Sequence, residues 1–164
     1  MSQYLKGKKA YLSGPIEHDS CHNWRISPTK ILTEKFGVDL FDPFSDTKQQ
    51  WLSTIQNARK QSDYKTITAI AKTFVRKDLE MVNRADFLIA YLPYNVATCG
   101  VHHEIINSNN AKKPTFLVTN YNDISFLPLW YFGFIPSEFM FSSWSALYEY
   151  LDSVNCGEQM ENDR

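Results

Sequence analysis

Asp86-Phe-Leu-Ile-Ala-Tyr-Leu92 decides the fold of this chain. Past its leading aspartate the run is apolar without alternation, which is the pattern of a strand buried on both faces in a parallel sheet. Parallel strands need helical crossovers, and the flanking sequence supplies them. Upstream, Phe74 to Ala85 reads as a helix with Leu79 and Val82 facing inward. Downstream, Pro93 to Gly100 is a loop, His102 to Asn110 a helix, and Lys112-Lys-Pro114 a stop before the strand Thr115-Phe-Leu-Val118. Nearer the start, Lys9-Ala-Tyr-Leu-Ser13 is a short buried strand ended by Gly14-Pro15. Trp24 to Phe36 has helical spacing, with Pro28 in or before its first turn and Gly37 as its C-terminal stop. Val38-Asp-Leu-Phe41 is a strand stopped by Asp42-Pro43.

This β-α-β-α-β-α-β alternation predicts an α/β fold: a doubly wound, mainly parallel sheet with flanking helices, flavodoxin-like or Rossmann-like. Residues 1–154 are expected to form a single domain, with a peripheral helical insertion or lid around 45–72. The polar tail at 155–164 is expected to fray. A last helix is expected from Trp144 to Leu151. The run Phe126 to Phe134 carries more large apolar residues than a small surface needs, which predicts a homodimer or higher homo-oligomer.

Bulk composition removes several function classes. A formal net charge of −1 over 164 residues gives no electrostatic basis for binding a nucleic acid polymer. No apolar run is long enough to span a membrane. Cys21, Cys99 and Cys156 are widely spaced and odd in number, so neither a disulfide framework nor a zinc site is expected. A cytoplasmic protein without a signal peptide, metal or cofactor fits these features.

In open α/β sheets ligands bind beyond the carboxyl ends of the strands, and three pieces of sequence meet there. They are Tyr11-Leu-Ser-Gly-Pro-Ile16, Arg76-Lys-Asp78 and Cys99-Gly-Val-His-His-Glu104. Ser13-Gly14-Pro15 reads as a tight turn whose amides can hold an anion at a helix start. Tyr11 reads as a strand tyrosine, Asp78 as one charge of a solvated helix face, Asp42 as a turn residue and Asp86 as a strand-start cap. Glu104 follows Gly100 into a helix start and points toward the ligand crevice. His102 and His103 beside it lack a third ligand at metal spacing and are read as rim residues. Trp24, Arg25 and the 45–72 insertion are placed around the ligand, where they set its shape.

Taken in order, Ala10-Tyr-Leu-Ser-Gly-Pro-Ile16, Lys77-Asp-Leu-Glu-Met-Val-Asn-Arg-Ala-Asp86 and Gly100-Val-His-His-Glu-Ile105, with Lys113-Pro114 downstream, resemble the nucleoside 2-deoxyribosyltransferase superfamily. Its branch of nucleoside 5′-monophosphate N-glycosidases is included in the resemblance, which covers about residues 9–120. The resemblance implies that Glu104 attacks the anomeric carbon to form a glycosyl-enzyme, that Tyr11 orients it, and that Asp78 contacts the sugar and helps protonate the departing base. Ser13, Gly14, Pro15, Ile16, Thr98, Gly100, Trp24 and Arg25 are then the candidate substrate-binding residues.

Three departures bear on the substrate. The transferases carry an acidic residue six positions before the nucleophile, where this chain has Thr98. A hydroxyl there donates to a phosphate that a carboxylate would repel, so a (deoxy)nucleoside 5′-monophosphate is expected to be cleaved, with transfer to water or another base. His102-His103 and the 45–72 insertion are the other two. The alternatives are a transferase using free nucleosides, a glycosidase acting on a larger nucleotide such as NAD, and a nucleotide-binding module without chemistry.

Overall fold

The computed structural model describes residues 3–16, 23–44 and 47–156. The apolar run after Asp86 forms strand β3 (Phe87–Leu92), buried along nearly its whole length. Around it stand β1 (Lys9–Ser13), β2 (Asp39–Phe41), β4 (Thr115–Thr119) and β5 (Met140–Phe141). They make one sheet in the order β2-β1-β3-β4-β5, with every pair parallel. The chain moves from β1 outward to β2, then returns to the other side of β1 for β3. The carboxyl ends of β1 and β3 are therefore the topological switch point, where crossovers leave for opposite faces and open a crevice.

Side-chain alternation assigns the two faces. Ala10, Leu12, Phe87, Ile89, Phe116 and Val118 point to one side. There they pack on Leu32 and Phe36, and on Leu147 and Leu151 of the last helix. Tyr11, Leu88, Ala90 and Leu117 point to the other side, against Val82, Val101, Ile105 and Tyr131. The first layer comprises α1 (Ile26–Lys30), a π turn at Ile31–Lys35 and α6 (Trp144–Asn155). The second holds α3 (Tyr64–Arg84), α4 (Cys99–Asn110) and the short α5 (Leu129–Phe132). The remaining helix, α2 (Thr47–Lys60), pairs with α3.

Several expectations change in detail. The helix expected over Trp24 to Phe36 is a succession of a 3-10 turn at Asn23–Arg25, α1 and the π turn. Gly37 closes it at φ +66°, a conformation that a Cβ disfavours. The insertion does not end near residue 72. The break falls at 61–63, and α3 runs unbroken through Asp78 to Arg84. Asp63 starts it by accepting the Thr66 amide at 3.1 Å. Leu79 is half-buried, whereas Val82 is buried. Strand β5 was not expected, because two residues carry no periodicity. Cys21 and residues 157–164 of the polar tail lie outside the described residues. No helix among the described residues is long and apolar enough to cross a membrane.

Candidate active site

Tyr11 and Ser13 are two residues apart on β1, so their side chains leave the same face of the sheet. Both reach Glu104, one and a half turns into α4. The Tyr11 hydroxyl donates to Glu104 Oε1 at 2.8 Å, and the Ser13 hydroxyl donates to Oε2. Tyr11 and Ser13 are fully buried, and Glu104 is 8 % exposed. Burial pushes the Tyr11 phenol far above its ordinary value, and the negative charges of Glu104 and Asp78 push it further. Tyr11 thus stays protonated and acts as a donor. Two donors on two oxygens fix the orientation of the carboxylate and stabilise its charge in a site that water hardly reaches.

Glu104 opens onto a cavity of about 500 Å3 between the end of β1, the start of α4 and the α2–α3 pair. Gly14, Pro15 and Ile16 form one wall, and Ala97, Cys99, Gly100 and Val101 another. Asp78 lines the same space from α3, half-buried, and its charge is felt by both Tyr11 and Arg25. The end of α3 is held by Lys113, whose ammonium donates to the carbonyls of Val82 at 2.9 Å, Ala85 at 2.6 Å and Asn83. A cation on the last carbonyls of a helix satisfies its orphan acceptors and suits its dipole. Lys113-Pro114 therefore anchors the helix that carries Asp78.

The remaining candidates divide. Gly14 cannot carry a side chain, because a Cβ there would overlap the Trp24 ring. Trp24 and Arg25 do not line the cavity. Trp24 stacks on Trp144 at 5.8 Å and leans on Tyr91 on the opposite face of the sheet. Arg25 is 3 % exposed and donates to the carbonyls of Leu12 at 2.9 Å and Gly14 at 3.0 Å, and to Asp42 at 2.7 Å. Burial lowers its pKa, and the Asp42 carboxylate opposes that shift. Arg25 therefore clamps the turn after β1 to the end of β2 instead of facing the ligand. Asp42 is its counter-ion, and Asp86 accepts the Lys9 amide at 2.7 Å across the strand edge.

Thr98 is buried at the N-terminal cap of α4 and makes no capping hydrogen bond. It lines a second cavity, of about 330 Å3, which meets the first at Ala97. His102 and Tyr131 stand in that second cavity and share a hydrogen bond. Burial lowers the imidazole pKa and raises that of the phenol, which favours the neutral form of both. His103 is exposed. Among the described residues, no three His, Cys, Asp or Glu side chains gather as metal ligands would.

Sequence reasoning placed the 45–72 insertion around the ligand but did not name the residues of the main cavity's far wall. It is made by Leu52, Ile55, Gln56 and Arg59 of α2, and by Ile67, Ala71, Phe74 and Val75 of α3. The signal was present, because positions 67, 71, 74, 75 and 78 fall on one face of a 3.6-residue helix. It was obscured by treating residues up to 72 as a separate unit.

No protein-family model matches this chain, and no curated protein matches it. Its fold is shared with solved structures. A 2-deoxyribosyltransferase from the psychrotolerant bacterium Bacillus psychrosaccharolyticus aligns with TM-score 0.57 and 17 % identity over 87 % of this chain and 95 % of the other. A 2-deoxyribosyltransferase from Leishmania mexicana aligns with TM-score 0.57 and 13 % identity over 88 % and 97 %. A conserved protein from Enterococcus faecalis V583 gives 0.57 and 17 % over 90 % and 99 %. At these identities the likeness is one of fold, and function has to be argued from the site.

Proposed function

We propose that this protein cleaves the N-glycosidic bond of a (deoxy)nucleoside 5′-monophosphate through a carboxylate nucleophile, handing the sugar to water or to another base. The observation that carries the reading is the Glu104 carboxylate, held at both oxygens by Tyr11 and Ser13 and facing a cavity that Asp78 also lines. A carboxylate so oriented is suited to a carbon that gains positive charge as its bond to nitrogen breaks. One Glu104 oxygen forms a bond to the anomeric carbon, and the bond from that carbon to the base nitrogen breaks. The electron pair leaves with the base, and Asp78, entering this step in its protonated form, gives the base its proton and becomes a carboxylate. Water or a second base then attacks the same carbon as its bond to Glu104 breaks, the Asp78 carboxylate takes up the proton that the attacking group sheds, and Glu104 returns to its carboxylate form. Tyr11 positions the nucleophile throughout.

The phosphate part of the reading rests on the α4 N-terminus and on Thr98, which faces the second cavity where it adjoins the first. The Thr98 hydroxyl makes no capping bond, and the helix start offers unsatisfied amides to an anion. Ser13 was expected to serve the same phosphate, but its hydroxyl is engaged on Glu104. That engagement favours the second reading, a transferase acting on free nucleosides, to the extent that phosphate binding needed Ser13.

We also propose a homodimer. Phe126, Leu129 and Trp130 are 69 %, 86 % and 78 % exposed in one short segment, an apolar patch of the kind that marks an interface. Sedimentation at micromolar concentration reads this directly, and a monomer rejects it.

The function is tested by incubating the protein with matched nucleosides and 5′-monophosphates and separating released base by chromatography. Acid-quenched protein is weighed intact to detect a sugar adduct on Glu104. Base release with a nucleotide preference supports the reading, and a nucleoside preference selects the transferase alternative. Release of no base from any member of the panel overturns both.

A further inference from the structure

The cavity has a chemistry gradient that the glycosidic reaction does not use. At one end stand Glu104 and Asp78. At the other, the α2–α3 wall presents Leu52, Ile55, Ile67, Ala71, Phe74 and Val75. Counting from Asp78 back to Ile67 along α3, this apolar stripe extends about 16 Å at 1.5 Å per residue. It is longer than a purine ring. Val75 is 47 % exposed within it, so the wall is open to a ligand instead of being filled by the protein's own core.

The reaction fixes which part of the substrate meets this wall. If Asp78 protonates the departing base, the base lies beside Asp78. The next ridges on that helix face, Val75, Phe74 and then Ala71, flank the edge of the base that points away from the sugar. An unmodified base carries amino and carbonyl groups on that edge, and aliphatic side chains leave them without partners. Gln56 and Arg59 are the polar residues of this wall, and both are on α2. Ala71, with no side chain beyond Cβ, leaves room between the two helices.

We propose that the substrates of this site carry an apolar substituent on the base, accommodated between α2 and α3. This rests on the glycosidase reading and narrows its substrate class. The substituent gains contact area with the stripe, and each buried methylene adds roughly fourfold in affinity. An alkyl chain of three or four carbons should therefore favour the modified nucleotide by well over tenfold.

The experiment compares 2′-deoxyadenosine 5′-monophosphate with analogues bearing linear alkyl chains on the exocyclic amine. Two quantities are read: kcat/KM for base release by the wild type, and Kd by calorimetry on Glu104→Gln, which binds without turnover. Both should improve with chain length. Val75→Gln and Ile67→Gln, introduced separately, should lower the alkylated-to-unmodified ratio several-fold while circular dichroism stays native. Equal Kd values for alkylated and unmodified nucleotides overturn the proposal, as does a ratio that neither substitution moves. Release of no base by the wild type, with Kd still improving with chain length, rejects the glycosidase reading and keeps the apolar subsite.

Discussion

The two walls of the cavity are built on different principles. The wall bearing Glu104 grows from the sheet: Tyr11 and Ser13 come from β1, Glu104 from the helix after β3, and Arg25 locks the turn between them. Tyr11, Ser13 and Glu104 are buried there, and both Glu104 oxygens are held by named donors. The wall bearing Asp78 is a helical pair whose cavity face is mostly aliphatic, partly exposed and tethered at its far end by Lys113. In the proposed reaction the first wall carries the chemistry, which demands fixed geometry. The second is organised for fit, which tolerates variation. Substitutions on the sheet wall should therefore act on the rate of bond cleavage or on global stability, and those on the helical wall on substrate choice.

The sharpest way to break this contrast is Glu104→Ala. Loss of the proposed nucleophile should lower kcat for base release by roughly 10⁴-fold or more, with the circular dichroism spectrum retained. Near-normal turnover would show that the sheet wall does not carry the chemistry. Tyr11→Phe keeps the ring and removes one donor. A hydrogen bond to a charged group is worth about 1.5–3 kcal/mol, so kcat should fall about 10- to 100-fold. Because Tyr11 acts through Glu104, KM should change little.

Arg25→Ala attacks the same wall through stability. It leaves the half-buried Asp42 carboxylate without its counter-ion and the carbonyls of Leu12 and Gly14 without their donor. Removing one partner of a fully buried ion pair costs about 3–5 kcal/mol, and the partial exposure of Asp42 sets the cost here below that range. The urea midpoint should drop accordingly, with an unchanged slope. A small drop would mean that the turn after β1 holds without its clamp.

How much of this was legible in the sequence follows the same division. Strands β1 and β3 and the junctions after them were readable because continuous apolar runs ending at Gly14 and before Gly100 are local signals. Tyr11, Asp78 and Glu104 could be nominated from those junctions and from the family resemblance. Their convergence could not, since the bond from Tyr11 to Glu104 joins residues 93 apart in the chain. Arg25 was nominated for the ligand because nothing local distinguishes an arginine that faces a pocket from one that faces two backbone carbonyls and a carboxylate. Thr98 was read as a loop residue, and its position as the N-terminal cap of α4 turns it toward the second cavity. The helical wall was the least legible, since Ser62 and Asp63 divide two polar-looking helices and its apolar stripe becomes visible only when α3 is taken as one helix.

The smallest expected effect tests whether the helical wall is an independent, more loosely held unit. Asp63 caps α3 by accepting the Thr66 amide at 3.1 Å and its hydroxyl at 2.6 Å, and these hydrogen bonds hold its carboxyl below its ordinary value. A group with a depressed folded-state pKa adds stability above its unfolded pKa and loses it as pH falls through the folded one. Asp63→Ala should therefore lower the thermal midpoint slightly at neutral pH, by much less than Arg25→Ala does. The gap between variant and wild type should shrink as the solution is acidified below the carboxylate range, because the protonated cap accepts more weakly. The alkyl preference at the active site should fall with it, while kcat for the unmodified nucleotide changes less. A gap that is the same at neutral and acidic pH would show that Asp63 supports α3 by something other than its charge. Parallel losses in alkyl preference and kcat would show that the two walls respond as one unit.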